Sequence, residues 1–236
     1  MQYLFLACKQ GQPAKGNSNN DKANFRIVQL SPDSPNFDFC DNGVIFATNI
    51  AYTDLTHYKY VPAAPTTNSF TRSNAGDGCE GVLNTSVFAL PAGASVSAIA
   101  MGSKDTVPAG AITGPPATIA FDDNSPADKG MVKVRFFNFA LATGAETVDL
   151  FVDDNLIAND IDAITGFTFL PVTQYSSLEQ GRVNVDIRDN NGNTLASAAG
   201  VKLNNRGVYT VFFHGNDSTG TGILVTEDSN NGRVVK

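Results

Sequence analysis

The 236-residue chain has no tryptophan, two histidines and three cysteines, and sets only 16 lysines and arginines against 23 aspartates and glutamates. Each scarcity removes a class of function. With a net charge of −7 and basic residues scattered singly, no phosphate-binding stripe forms, so nucleic acid is not an expected partner. Anionic lipid head groups repel the same acidic balance. No apolar run approaches the ~20 residues that span a bilayer, so membrane contact is expected only through a lipid anchor. Without Trp there is no indole platform for a sugar ring, which weakens any glycosidase reading. Lacking C-x-x-C and with two histidines, the chain offers no zinc site. No stretch sustains a 3.6-residue apolar period, which argues against long helices.

What is present points to strands. Sixteen Phe accompany many Val, Ile and Thr, and 21 Gly and 11 Pro join abundant Asn, Asp and Ser in turns. Phe25 to Leu30 reads as a strand, broken by Ser31-Pro32-Asp33-Ser34-Pro35 because proline removes a ladder donor and keeps its predecessor extended. Phe37 to Cys40 alternates, and Asp41-Asn42-Gly43 signals a hairpin. The stretch from Pro62 to Gly81 reads as a long loop, and as the likeliest partner contact.

The pattern then repeats. Val148 to Ile161 matches Phe37 to Ile50 without a gap, 111 residues on. Phe167 to Pro171 answers Tyr58 to Pro62, Leu203 to Gly215 answers Leu90 to Gly102, and Ile223 to Asp228 answers Thr118 to Asp123. Four blocks in one order indicate an internal duplication. The expected organisation is an N-terminal segment over 1–23, one repeat over 24–126 and a second over 130–236, with Asn124 to Gly130 as linker. Each repeat holds about seven short strands, which suits an all-β fold of two tandem antiparallel β-sandwiches of immunoglobulin or transthyretin type.

Two readings compete for the N-terminus. Leu6-Ala7-Cys8 resembles the end of a bacterial lipoprotein signal, with Cys8 the site of lipid attachment and a polar tether behind it. Alternatively Tyr3, Leu4, Phe5, Leu6 and Ala7 form a strand that adds to a sheet edge of this or a neighbouring chain. If Cys8 carries lipid, Cys40 and Cys79 remain as an even pair and are expected to form a disulfide in an oxidising compartment; the rival reading is two unrelated thiols.

Ser31-Pro32-Asp33-Ser34-Pro35-x-Phe37-Asp38-x-x-x-Asn42-Gly43 resembles the SPDAP-x-VD-x-x-x-DG opening of a bacterial envelope family without assigned activity, the domain-of-unknown-function 4397 family. Leu90-Pro91-Ala92-Gly93 resembles its recurring L-P-A-G turn, and the Asp-rich end of each repeat resembles its last strand. The second half carries Phe139-Ala140-Leu141-Ala142-Thr143-Gly144 where the corner motif would fall. The resemblance implies tandem sandwiches on secreted or lipid-anchored bacterial proteins, and no catalytic residues.

Other candidate chemistry is sparse. Gly76 to Gly81 matches G-x-G-x-x-G but opens no helix, so it cradles no phosphate. His57 and His214 have no nucleophile elbow to serve. Asp122, Asp123, Asp153, Asp154, Glu227 and Asp228 end strands and are candidate Ca²⁺ ligands; their competing role is turn chemistry. The expected function is a non-enzymatic exported protein, at the bacterial outer membrane, cell surface or beyond. It would bind a surface protein, a glycan or copies of itself; the alternatives are a fibre subunit built by strand donation and a carbohydrate-binding module.

Overall fold

The computed structural model describes residues 21–73, 78–80, 82–102, 117–140, 147–164, 169–170, 175–229 and 233–235, and these contain strands and no helix. The first half holds β1 (Lys22–Gln29), β2 (Phe37–Asp41), β3 (Val44–Ile50), β4 (Lys59–Pro62), β5 (Pro65–Arg72), β6 (Val82–Ala89), β7 (Ser95–Ala100) and β8 (Ala117–Asp122). The second holds β9 (Met131–Asn138), β10 (Thr147–Val152), β11 (Asn155–Asp162), β12 (Phe169–Leu170), β13 (Ser176–Glu179), β14 (Gly181–Asp189), β15 (Thr194–Leu203), β16 (Val208–Asn216), β17 (Gly220–Glu227) and β18 (Arg233–Val234).

Four sheets result. One half pairs β3-β2-β5-β6 over β12-β8-β7-β1-β4, and the other pairs β11-β10-β14-β15 over β13-β9-β16-β17-β18. The order is the same in both, down to the parallel pairing of β1 with β7 and of β9 with β16. The β-sandwich architecture expected from strand spacing is therefore present twice.

Strand alternation decides which faces meet. Phe25 and Ile27 of β1, with Val96 and Ala98 of β7, enter the core of the first sandwich beside Phe37, Phe39 and Phe70. Phe37 and Phe39 both meet Phe70 edge-on, at 4.9 and 5.1 Å between ring centres. The opposite face of the same strands is buried too. Val28, Leu30, Ile99, Met101 and Ala120 pack against Phe137, Phe139, Phe212 and Leu224 of the second half. The two inner sheets thus lie back to back and the molecule is four layers deep. Strands covered on both faces read as nearly continuous apolar runs, as β7, β8 and β16 do.

The family-like motif acquires a physical meaning here. Asn42 and Gly43 turn the β2–β3 hairpin at φ 48° and 75°, and Asp153 and Asp154 do so for β10–β11 at 46° and 62°. Both hairpins carry a bulge at the same place. Asp38 accepts the backbone N–H of Asn49 at 2.7 Å, and Asp149 accepts that of Asp160 at 2.9 Å, each holding a residue in left-handed geometry.

Three expectations need correction. The stretch from Pro62 to Gly81 is not one long loop: Pro65 to Arg72 is a strand inside the outer sheet, with Thr66, Asn68 and Phe70 turned inward. Its proline sits at the first strand position, where a missing donor costs least. The counterpart of β4 is β13, not Phe167 to Pro171; the Phe169–Leu170 strand instead extends the first half's inner sheet along β8. Finally, Asp228 corresponds to Asp122 by position against β16 and β7, so the alignment of the last strands was one residue out. A one-residue slip in a strand exchanges its two faces.

The segment proposed as a linker is docked. Ala127 is buried, its N–H bonds the carbonyl of Arg206, and the Arg206 Nε donates back to the Ala127 carbonyl.

Candidate functional site

The densest chemistry in the molecule lies between the inner sheets. Arg26 on β1 and Arg135 on β9 occupy equivalent positions and are fully buried on the faces that meet. Each reaches the carboxylate of the other half. The Arg26 Nη2 donates to Asp228 Oδ1 at 2.7 Å, and the Arg135 Nη2 donates to Asp122 Oδ1. Within its own half, each arginine uses Nε to bond a hydroxyl, Ser97 or Thr210, at 2.7 Å. Those hydroxyls in turn donate to Asp122 and Asp228 respectively. Thr226 supplies Asp228 with a further donor at 2.9 Å, and the Tyr58 hydroxyl supplies Asp122 at 2.7 Å. The Arg135 Nη1 donates to the Phe121 carbonyl at 2.7 Å.

Aromatic rings close the layer on both sides. The Arg26 guanidinium lies 4.7 Å from the Tyr58 ring centre, and that of Arg135 lies 5.2 Å from Tyr175 and 4.8 Å from Phe137. Tyr58 and Tyr175 immediately precede β4 and β13, so even this contact is duplicated. Burial by itself would lower the pKa of both arginines; the carboxylates of Asp228 and Asp122 outweigh it for Arg26, and those of Asp122 and Asp228 do so for Arg135. Both guanidinium groups stay charged. The tyrosine hydroxyls are pushed up, chiefly by burial, and keep their protons.

A second cross-half contact involves His214, the residue equivalent to Met101 by register. Its Nδ1 lies 2.6 Å from the Tyr52 hydroxyl. Burial lowers the imidazole to about 4 and raises Tyr52 to about 12. At neutral pH the ring is therefore uncharged, and the tautomer it adopts decides which of Nδ1 and the tyrosine hydroxyl donates. His57 is exposed on the β3–β4 connection.

The carboxylates suggested for Ca²⁺ are committed elsewhere. Asp122 and Asp228 serve the arginines. Glu227, on the other face of the same strand, accepts from Arg233 and Asn204. Asp123 receives Lys133 at 2.8 Å and the Ser125 N–H at 2.9 Å, which together hold its carboxyl below the usual range against the effect of burial. Asp153 accepts the Asn184 N–H, and Asp154 pairs with Arg188. Among the described residues no three Asp, Glu, His or Cys side chains gather to hold a metal.

Cys40 and Cys79 form a disulfide, which fixes the segment 78–80 to β2. Cys8 and the strand-donor segment Tyr3 to Ala7 lie outside the described residues, as do Gly76, Asp77 and Gly81 of the glycine motif.

Sequence reasoning missed Arg26 and Arg135 as a site. The signal was an arginine set at the same position among apolar neighbours in each half, Phe-Arg-Ile-Val and Val-Arg-Phe-Phe. A charge there requires a buried partner.

Two equivalent sandwiches joined through a buried, crossed-charge layer define a tandem β-sandwich protein. The family model Domain of unknown function (DUF4397) matches residues 23–150 and again 141–235, and the chain belongs to that family. No curated protein matches it.

Proposed function

We propose that this is a non-catalytic, exported envelope protein, anchored through Cys8, whose rigid four-layer body offers its outer surface to a partner. The disulfide carries this reading, because such bonds form and persist in oxidising compartments outside the cytosol. The arrangement of the buried charges supports it. The groups most concentrated in the fold are engaged in joining its halves, which suits a mechanical role rather than a chemical one.

Intact mass of the protein from its native membrane or medium tests the reading. The expected species begins at an acylated Cys8 and gains two hydrogens on reduction. An unlipidated species retaining Met1 to Ala7 would remove the anchor, and free Cys40 and Cys79 thiols would remove the export argument.

One observation favours a second reading. Among the described residues β3 pairs only with β2, and Val44 and Ile45 on it are exposed, so an edge is open to an added strand. Tyr3 to Ala7 of another copy would supply it, giving a fibre that electron microscopy would reveal.

A further inference from the structure

We propose that the end of the second sandwich formed by β14, β15 and β18 binds the oxyanion groups of an acidic polysaccharide. The starting point is a register. Arg182 on β14 stands directly opposite Lys202 on β15. Both are exposed on the outer face, while Val183, Val201 and Leu203 beside them point into the core. Directly opposed like charges destabilise a sheet, so a pair of cations here has a structural cost that an anion would reverse.

The rest of that face behaves differently. Arg188 on the same strand is neutralised by Asp154 and Asp186, and Asp186 accepts the Ser197 hydroxyl across the sheet. At the other end, the Arg182 Nη1 donates to the Gly200 carbonyl at 2.9 Å, and among the described residues no carboxylate pairs with it. An uncompensated pair of positive groups on a chain of net charge −7 is therefore local, not a trend of the surface.

The cations stand at a concavity. Arg182 and Lys202 line a cleft of about 330 Å³ with Gln180, Asn204 and Asn205. A second cleft of about 250 Å³ adjoins it through the shared Lys202 and Asn204, and is closed by Arg233. Among the described residues no acidic side chain lines either. The Glu227 carboxylate lies buried beneath and is already bonded to Arg233 and Asn204. Amide side chains between separated cations match a ligand with carboxylates at intervals and hydroxyls between them. A small single anion would use one cleft only.

The proposal specifies a ligand for the binding role above, and rests on that reading for its setting. The closing experiment needs only purified protein, so its failure would leave the disulfide and anchor untouched. Calorimetric titration of the full chain with a hexamer of galacturonate should show saturable binding that weakens with added salt. It should also raise the Tm of the wild type. R182Q/K202Q should bind about tenfold more weakly or worse, with no ligand-induced rise in Tm. Its own Tm without ligand should be higher than wild type, because the repulsion is gone; that readout also shows that the variant folds. Equal affinity of wild type and variant, equal binding of maltohexaose, or inorganic phosphate binding as tightly as the hexamer would overturn the proposal, as would the absence of binding.

Discussion

Arg26 donates a 2.7 Å hydrogen bond to Asp228, a residue 202 positions further along the chain, with both side chains wholly withdrawn from water. Its counterpart, Arg135 with Asp122, crosses the same layer in the other direction. Removing one member of such a pair strands its partner. Arg26→Met or Asp228→Leu alone should each cost about 3–5 kcal/mol, whereas R26M/D228L should recover much of that loss. Urea unfolding of the three variants measures the coupling. Strictly additive costs would show that the two residues act independently.

The burial of His214 beside Tyr52 makes part of the stability pH-dependent. A histidine held at about 4 binds its proton less readily folded than unfolded. Its contribution is thus complete above about pH 6.5 and is lost as pH falls toward 4. The shift corresponds to on the order of 3 kcal/mol. Thermal melts of the wild type should fall steeply across that interval, and those of His214→Gln should fall less. Parallel pH profiles would assign the acid sensitivity to other groups.

The disulfide closes a loop of 39 residues, for which chain-entropy restriction predicts about 3–4 kcal/mol. C40S/C79S should lose roughly that amount in denaturant. The Arg26–Asp228 coupling should be unchanged in that background, since Cys40 lies in the outer sheet of the first half. A change in coupling would mean that the outer sheet transmits strain to the inner one.

Two glycines with left-handed backbones should respond differently to the same change. At Gly215, with φ at 107°, an added Cβ would lie 2.1 Å from the Gly220 carbonyl oxygen, so Gly215→Ala should cost about 3 kcal/mol. Gly43 has φ at 75° and nothing within 4 Å, so Gly43→Ala should cost about 1 kcal/mol from backbone strain alone. Similar losses at both sites would contradict the packing around the β16–β17 turn.

Local features of the fold were legible in the sequence to the degree that they were local. Phe37 to Ile50 and Val148 to Ile161 aligned without a gap because one hairpin, with its bulge and its Asp38 or Asp149 clamp, imposes the same spacing on both. The Cys40–Cys79 bond followed from counting cysteines. Pairings set by distant contacts were not legible. Tyr175 replaces Tyr58 at a longer sequence spacing from the preceding hairpin, so the match to Phe167 came from composition rather than position. The last strands slid by one residue because Asp122-Asp123 and Glu227-Asp228 are alike in charge, and only their bonds to arginine distinguish them. The charged layer itself was hidden for the same reason. A strand's alternation shows that it has two faces, but not what covers the second.

The crossed exchange of charge makes each half the other's counter-ion. A chain cut after β8 would keep Arg26 and Asp122 on a face that has lost both partners, together with the apolar patch of Val28, Ile99 and Met101. Neither repeat is then a spare copy free to drift, be deleted or be shuffled alone. Substitutions in one must be answered in the other, and the duplication, once made, has become inheritance that can be passed on only as a pair.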